Sequence, residues 1–155
     1  SCLTVGQHSV VRGMFSDDTA GGWLPACLQL EIPYVKWIFP SAHKDKLDAL
    51  QGASRPSWFN FACEGRLSEI SRVQLGSEDM TGLERSAQKL CEMLKHEIVE
   101  DEGSPYNRTI LGGFGQGGVT ALHTAMLCPE RVAGLILVNA WLPPHLPPPT
   151  PEGHE

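Results

Sequence analysis

An α/β fold with a mostly parallel sheet is the class this sequence predicts, and three observations carry the prediction. The second half of the chain alternates helix, strand, helix and strand between positions 81 and 141. Its two strands, in "TILGG" and "VAGLILVNAW", are short apolar runs of the kind parallel sheets bury on both faces. Between them, "ILGGFGQGGVTALHTAM" (110–126) reads as a buried strand, a glycine turn and a helix. Such a turn often carries the reacting atom of an enzyme.

The elements follow in order. "SCLTVGQHSVVRGMF" holds an apolar stretch around Val10 and Val11 and then Gly13, which predicts a weak strand followed by the loop "SDDTAGG". "WLPACLQL" is a short helix candidate interrupted by Pro25. "YVKWIFP" (34–40) is rich in β-formers and ends at proline, as a strand does. From 41 to about 76 no period is evident, and the segment is expected to be a long irregular one. Within it, "RPSWFNF" is too aromatic for a plain solvated loop. Leu83, Ala87, Leu90, Cys91, Leu94 and Ile98 fall on one helical face. Thr81 and Glu84 fit a capping box at its start, and Glu78 and Asp79 suit the positive end of its dipole. "VTALHTAML" predicts a helix ended by Pro129. In "LPPHLPPPTPEGHE" six of fourteen residues are proline, so an extended polyproline-type tail is expected.

Composition narrows the function classes. With 155 residues, 41% hydrophobic and 19% charged, the chain is globular and long enough for one domain with a buried core. The formal net charge is −6 and no Lys/Arg cluster occurs, so neither nucleic acid nor an anionic membrane is an expected partner. No apolar run reaches the ~18 residues of a membrane helix, and stable membrane insertion is not expected. The five cysteines are scattered without a C-x-x-C, against a disulfide framework or a zinc site. A reducing, cytoplasmic location is the expectation, with no cofactor and no metal.

The glycine turn admits two chemical readings. As a nucleophile elbow, G-x-S-x-G, its frame is Gly113-Phe114-Gly115-Gln116-Gly117, with glycine where the serine belongs. As a dinucleotide loop, Gly113, Gly115 and Gly118 satisfy G-x-G-x-x-G. That motif also needs an acidic residue at the end of the next strand, and here stand Asn139, Ala140 and Trp141. The elbow is the better-supported reading. A purely structural tight turn is the third.

On these residues the chain resembles the acyl-protein thioesterase / phospholipase-carboxylesterase family of α/β-hydrolases. "NRTILGGFGQGGVTALHTAM" is similar to the family's N-R-I-I-L-G-G-F-S-Q-G-G and helix. "VAGLILVNAWLP", "YVKWIFPSA" with "RPSWFNF", and "GLERSAQKLCEMLKHEI" match further family segments in order, so the resemblance runs from Val10 to Pro143. It departs at "VVRGMFSDD", where Arg12 stands at the His position of the family's Leu-His-Gly-x-Gly-Asp loop and Phe15 at its second glycine. Asn60 replaces an Asp, and Gly115 occupies the nucleophile position.

The resemblance implies an α/β-hydrolase-like three-layer sandwich, C-terminally truncated, with a partial domain over 1–143 and the proline-rich tail over 144–155. It implies a scaffold for hydrolysis of acyl thioesters or esters of proteins or lipids. The backbone N–H groups of Met14 and Gln116 would form the oxyanion hole, and Trp58 and Phe59 would line a substrate groove. The triad's acid and histidine should follow the nucleophile. After Gly115 there is no Asp; the acids are Glu130, Glu152 and Glu155, and the histidines are His123, His145 and His154. His123 is expected to be a packed or surface helix residue. Thr120 and Cys128 are nucleophiles on paper only, away from the turn tip. The chain is therefore expected to be an inactive or partial copy, with a non-catalytic binding module on the same fold as the alternative.

Overall fold

The computed structural model describes residues 2–5, 35, 37–48, 51–64, 72–73, 75–96 and 106–146. Strands β1 (Cys2–Val5), β2 (Trp37–Ile38), β7 (Ile110–Phe114) and β8 (Gly134–Val138) form one sheet in the order β2-β1-β7-β8. Every pair in it is parallel, as the alternation of elements predicts. The stretch around Val10 and Val11, the "WLPACLQL" segment and Met14 lie outside the described residues. The first described strand is "CLTV", ahead of the predicted one.

Two antiparallel ladders occupy the segment read as irregular. β3 (Lys44–Leu47) pairs with β4 (Ala53–Pro56), and β5 (Cys63–Glu64) pairs with β6 (Arg72–Val73). Neither announces itself in the sequence. β3 is "KDKL", with three exposed residues and one buried, so no apolar alternation marks it. The turn after β3 is shaped by left-handed Gln51 (φ 55°) and Gly52 (φ 80°), whose N–H groups reach Asp48 O at 3.0 Å and Leu47 O at 2.8 Å.

Helix α1 (Met80–Leu94) buries the predicted face: Leu83, Ala87, Leu90 and Leu94. Ile98 lies outside the described residues. Its N-cap is Asp79, without a side-chain cap bond, so the capping box expected of Thr81 and Glu84 does not form. The reason lies in the backbone. Asp79 N–H donates to Asn60 O at 2.8 Å and Asp79 O accepts from Leu83 N at 2.9 Å, which places the N-cap two residues before Thr81. Glu78 does not serve the dipole in isolation. It is buried, and its carboxylate accepts from Gly76 N at 2.7 Å and from Trp141 Nε1 at 2.8 Å. That pair of bonds ties the start of α1 to the chain after β8.

Helix α2 (Gln116–Leu127) follows β7 directly and packs between the sheet and α1. It starts three residues before "VTALHTAML" and takes both Gly117 and Gly118 into its first turn. The core joins Trp58, Phe59 and Phe61 to Leu83, Leu90, Leu94, Tyr106, Leu111, Val119 and Leu146. Rings Phe59, Phe61 and Trp141 meet with centroids 5.7 to 6.1 Å apart, Phe59 and Trp141 edge to face and the other two pairs tilted. Leu146 comes from the segment expected to be tail, and Pro143 is buried with it, whereas His145 is exposed.

The expectation that β8 is buried on both faces fails. Residues 135–138 are 38 to 56% exposed. A parallel strand is buried when a further strand pairs with it and helices cover both sides. Among the described residues, β8 has β7 on one side and no strand on the other.

His123 is buried on α2 at 7% exposure, and its Nδ1 has no partner among the described residues. Burial pushes its pKa below the usual histidine value of 6.5, with Glu84 pulling weakly the other way. The fold therefore holds it neutral, while the unfolded chain protonates it near pH 6.5. This contribution to stability is complete above the unfolded pKa and declines as pH falls below it toward the depressed folded value. Thermal melts between neutral and mildly acidic pH should show a smaller loss of Tm for His123→Gln than for the parent chain; equal losses would show that His123 is not buried neutral.

Candidate functional site

Strand order places the site. The sheet reverses direction of growth between β1 and β7, since β2 lies on one side of β1 and β7 on the other. Parallel sheets bind ligands outside the carboxyl ends of their strands at such a switch point. The carboxyl end of β7 leads into the glycine turn. The register Val5↔Gly113 and Phe114↔Val138 brings the ends of β1 and β8 beside it.

Gly115 is the N-cap of α2, with φ 56° and ψ −125°. An L residue with a side chain is strained there, at a cost of about 1–3 kcal/mol, and glycine is not. Gly115 N donates to Val138 O at 2.9 Å, and Gly115 O accepts from Gly118 N at 3.0 Å and Val119 N at 3.1 Å. Both polar groups of the turn are thus engaged in holding its shape. The flanking glycines let strand and helix touch. A Cβ on Gly113 would overlap the Gly117 carbonyl, and one on Gly118 would stand 2.7 Å from Ala140 Cβ and 3.0 Å from Gly113 O. The last glycine of the G-x-G-x-x-G match is therefore in contact with the chain after β8. This strand–turn–helix geometry is that of the elbow reading.

Gln116 follows the turn and is fully buried. Its amide Nε2 donates to Ser57 Oγ at 3.0 Å and to Phe59 O, while Oε1 accepts from Trp58 N at 3.4 Å. Ser57 Oγ donates onward to Phe59 O at 2.6 Å. One side chain thus fixes the backbone of "SWF" against the first turn of α2. The far end of that segment is held by Asn60. Its Oδ1 accepts from Asp48 N and Phe61 N, both at 2.9 Å, and its Nδ2 donates to Asp48 Oδ2 at 2.9 Å. The amide accepts and donates at once beside the carboxylate, whereas an ionised Asp at position 60 would face Asp48 with like charge.

Gly115, Gln116, Trp58 and Phe59 are brought together. Trp58 and Phe59 are 7% and 2% exposed, with their rings in the core cluster. Met14 lies outside the described residues. His123 is buried on the body of α2, within electrostatic reach of Glu84 of α1. Thr120 is fully buried with its hydroxyl on Gln116 O at 2.9 Å, and Cys128 caps the opposite end of α2. Sequence reasoning missed Ser57. Its one signal is a hydroxyl next to Trp-Phe in an aromatic loop, which gains meaning only once Gln116 is seen to need buried partners. The N-terminal end of α2 also brings a positive partial charge to the turn.

Comparison with known proteins agrees with the geometry. A family model described as Phospholipase/Carboxylesterase matches residues 17–151. Acyl-protein thioesterase 1 of Cryptococcus neoformans is 30% identical over 128 residues, covering 81% of this chain and 51% of that protein. Acyl-protein thioesterase 1 of Schizosaccharomyces pombe is 30% identical over 127 residues, covering 81% and 52%. Among solved structures, Arabidopsis thaliana SOBER1 superposes with a TM-score of 0.64 at 19% identity, over 92% of this chain and 61% of that one. Zea mays acyl-protein thioesterase 2 gives 0.61 at 22% identity, over 92% and 57%. These two share the fold. The chain spans about half the length of the relatives it matches in sequence.

Gln116→Leu should lower stability by about 1–3 kcal/mol, because it removes from the core the amide that bonds Ser57 Oγ, Phe59 O and Trp58 N. Ser57→Ala should cost less, about 1 kcal/mol, since Gln116 still reaches Phe59 O. Urea unfolding of both variants checks the order, and a Gln116→Leu chain as stable as the parent would refute the anchor.

Proposed function

Because the chain belongs to the phospholipase/carboxylesterase family, we propose that it is a non-hydrolysing copy of an acyl thioester or ester hydrolase. In this reading it keeps the acyl-binding end of the fold and lacks the attacking atom. The observation that carries the reading is Gly115 at the tip of an elbow-shaped turn, with φ 56° and ψ −125°. A serine hydrolase forms its acyl-enzyme through a side-chain oxygen at this tip, activated by a histidine that a third group orients. Glycine offers no oxygen, whatever surrounds it.

What the turn retains is electrostatic. A developing negative charge on an acyl oxygen is met by backbone N–H groups at a helix start. Gln116, the first residue of α2, is the donor proposed here, with Met14 from the N-terminal loop as its partner. The ligand class is an acylated protein or a lipid ester, a reading supported by the names of the thioesterase relatives. Trp58 and Phe59 are the proposed wall of the acyl groove, supported by the grip of Gln116 on their backbone. A reducing, cytoplasmic setting and the absence of a cofactor belong to the same proposal. So does a division into a hydrolase-like body over 1–143 and a tail over 144–155. The dinucleotide alternative gains nothing from the turn, since β8 is followed by Asn139 and Ala140 where a ribose-binding acid is required.

The purified chain should neither label with a fluorophosphonate serine probe nor hydrolyse p-nitrophenyl esters above the buffer rate. A non-hydrolysable long-chain acyl thioether should quench its tryptophan fluorescence saturably. Probe labelling at the turn would overturn the non-hydrolysing half of the proposal, and a linear, unsaturable titration would overturn the binding half. Gly115→Ser alone should leave ester turnover at the buffer rate. In this reading the restored hydroxyl lacks an activating base, since His123 is buried on the helix body with its pKa lowered by desolvation. Substantial turnover by that variant would show that a base is in place after all.

A further inference from the structure

Two thiols outside the elbow face each other. Cys91 lies one turn before the end of α1, and Cys128 caps α2. Their sulfurs are 3.7 Å apart. Both residues are half-buried and neither is in a disulfide. A disulfide requires about 2.05 Å between sulfurs, so the pair needs an approach of under ~2 Å to bond. Cys128 is favourably placed to supply it. It sits past the last helical residue with extended backbone (φ −61°, ψ 138°), and its N–H alone remains in the helical ladder, on Thr124 O at 3.0 Å.

We propose that Cys91 and Cys128 are a redox modification site, forming a reversible disulfide that joins α1 to α2 across the segment carrying the glycine turn. The oxidant is a small-molecule disulfide of the glutathione class. The Cys91 thiolate attacks one sulfur of that disulfide, forming a mixed disulfide and releasing one small thiolate, which takes up a proton. The Cys128 thiol gives its proton to solvent and attacks the Cys91 sulfur, expelling the second small thiolate. Two protein thiols are oxidised and one small disulfide is reduced to two thiols, so electrons and protons balance.

The roles of the two sulfurs follow from their contact. Cys91 S–H reaches Thr124 O at 3.5 Å, and either thiol can donate across the 3.7 Å contact; with Cys128 as the donor, the thiolate is favoured at Cys91, whose pKa is lowered. The same contact, with burial, pushes the Cys128 thiol far up. In that arrangement Cys91 is the first nucleophile and Cys128 the resolving thiol. The bond closes residues 91–128 into a loop that contains β7, the turn and α2. Cross-linking a loop of this length restricts the unfolded chain, and the native state gains relative to it.

The test is incubation of the purified chain with a glutathione/glutathione disulfide mixture at neutral pH, followed by alkylation, trypsin and mass spectrometry. The expected product links peptide 90–95 to peptide 109–131, which hold Cys91 and Cys128. Tm should rise by about 10 °C and return with dithiothreitol. Cys128→Ser should instead hold a glutathione adduct on Cys91, and Cys91→Ser should show no shift in Tm. Retention of both free thiols would overturn the proposal. So would glutathione adducts on both without a link, or a link from either to Cys2, Cys27 or Cys63. The two serine variants melting like the reduced parent would show that they fold, so that loss of the link is a loss of chemistry.

Discussion

Backbone meets backbone where β7 enters α2, and the rest of the site depends on that contact. Strand and helix run so close that positions 113 and 118 admit no side chain. A methyl group at either would force a shift of main chain, a kind of overpacking that costs about 1–3 kcal/mol. The contact fixes the direction of α2, and α2 fixes Gln116. Gln116 in turn fixes the loop with Trp58 and Phe59. The order of dependence runs from three glycines to a helix, from the helix to one amide, and from the amide to an aromatic segment of the core.

That order leaves the fold independent of any side chain at the turn tip. In a strained elbow the side chain at the tip is held against its backbone preference, so a serine there costs stability that a glycine does not. Gly115 relieves the strain while Gly113, Gly118 and Gln116 keep the geometry. The buried network around Gln116 is fully partnered within the protein, and such networks rigidify the parts they join.

Much of this was legible in the sequence, and the rest was hidden for physical reasons. The parallel sheet, α1 and the elbow frame are written in apolar periodicity and glycine spacing, which are local signals. The β3–β4 and β5–β6 ladders were invisible because their strands are only two to four residues long and carry no apolar alternation, β3 being polar and exposed but for Leu47. The capping box at Thr81 looked sound, yet the Asn60 carbonyl 19 residues earlier takes the Asp79 N–H and moves the helix start. Burial of β8 was read from composition alone, which cannot say whether a neighbouring strand is paired to it. Ser57 and the facing pair of Cys91 and Cys128 are long-range meetings that no spacing rule encodes. The family resemblance, by contrast, was carried by ordered motifs and agrees with the family model over 17–151.

The central claim is that the turn keeps an elbow's backbone while its tip carries no side chain. The handedness of a single methyl group tests it most directly. At φ 56° and ψ −125° an L residue is strained, whereas a D residue sits in its own broad extended region. Semisynthetic chains with L-Ala or D-Ala at position 115 can be compared by urea unfolding. The account predicts that Gly115→L-Ala destabilises by about 1–3 kcal/mol and that Gly115→D-Ala is neutral or stabilising by up to about 1 kcal/mol. An L-Ala chain as stable as the parent, with D-Ala the destabilised one, would mean that the turn is not an elbow.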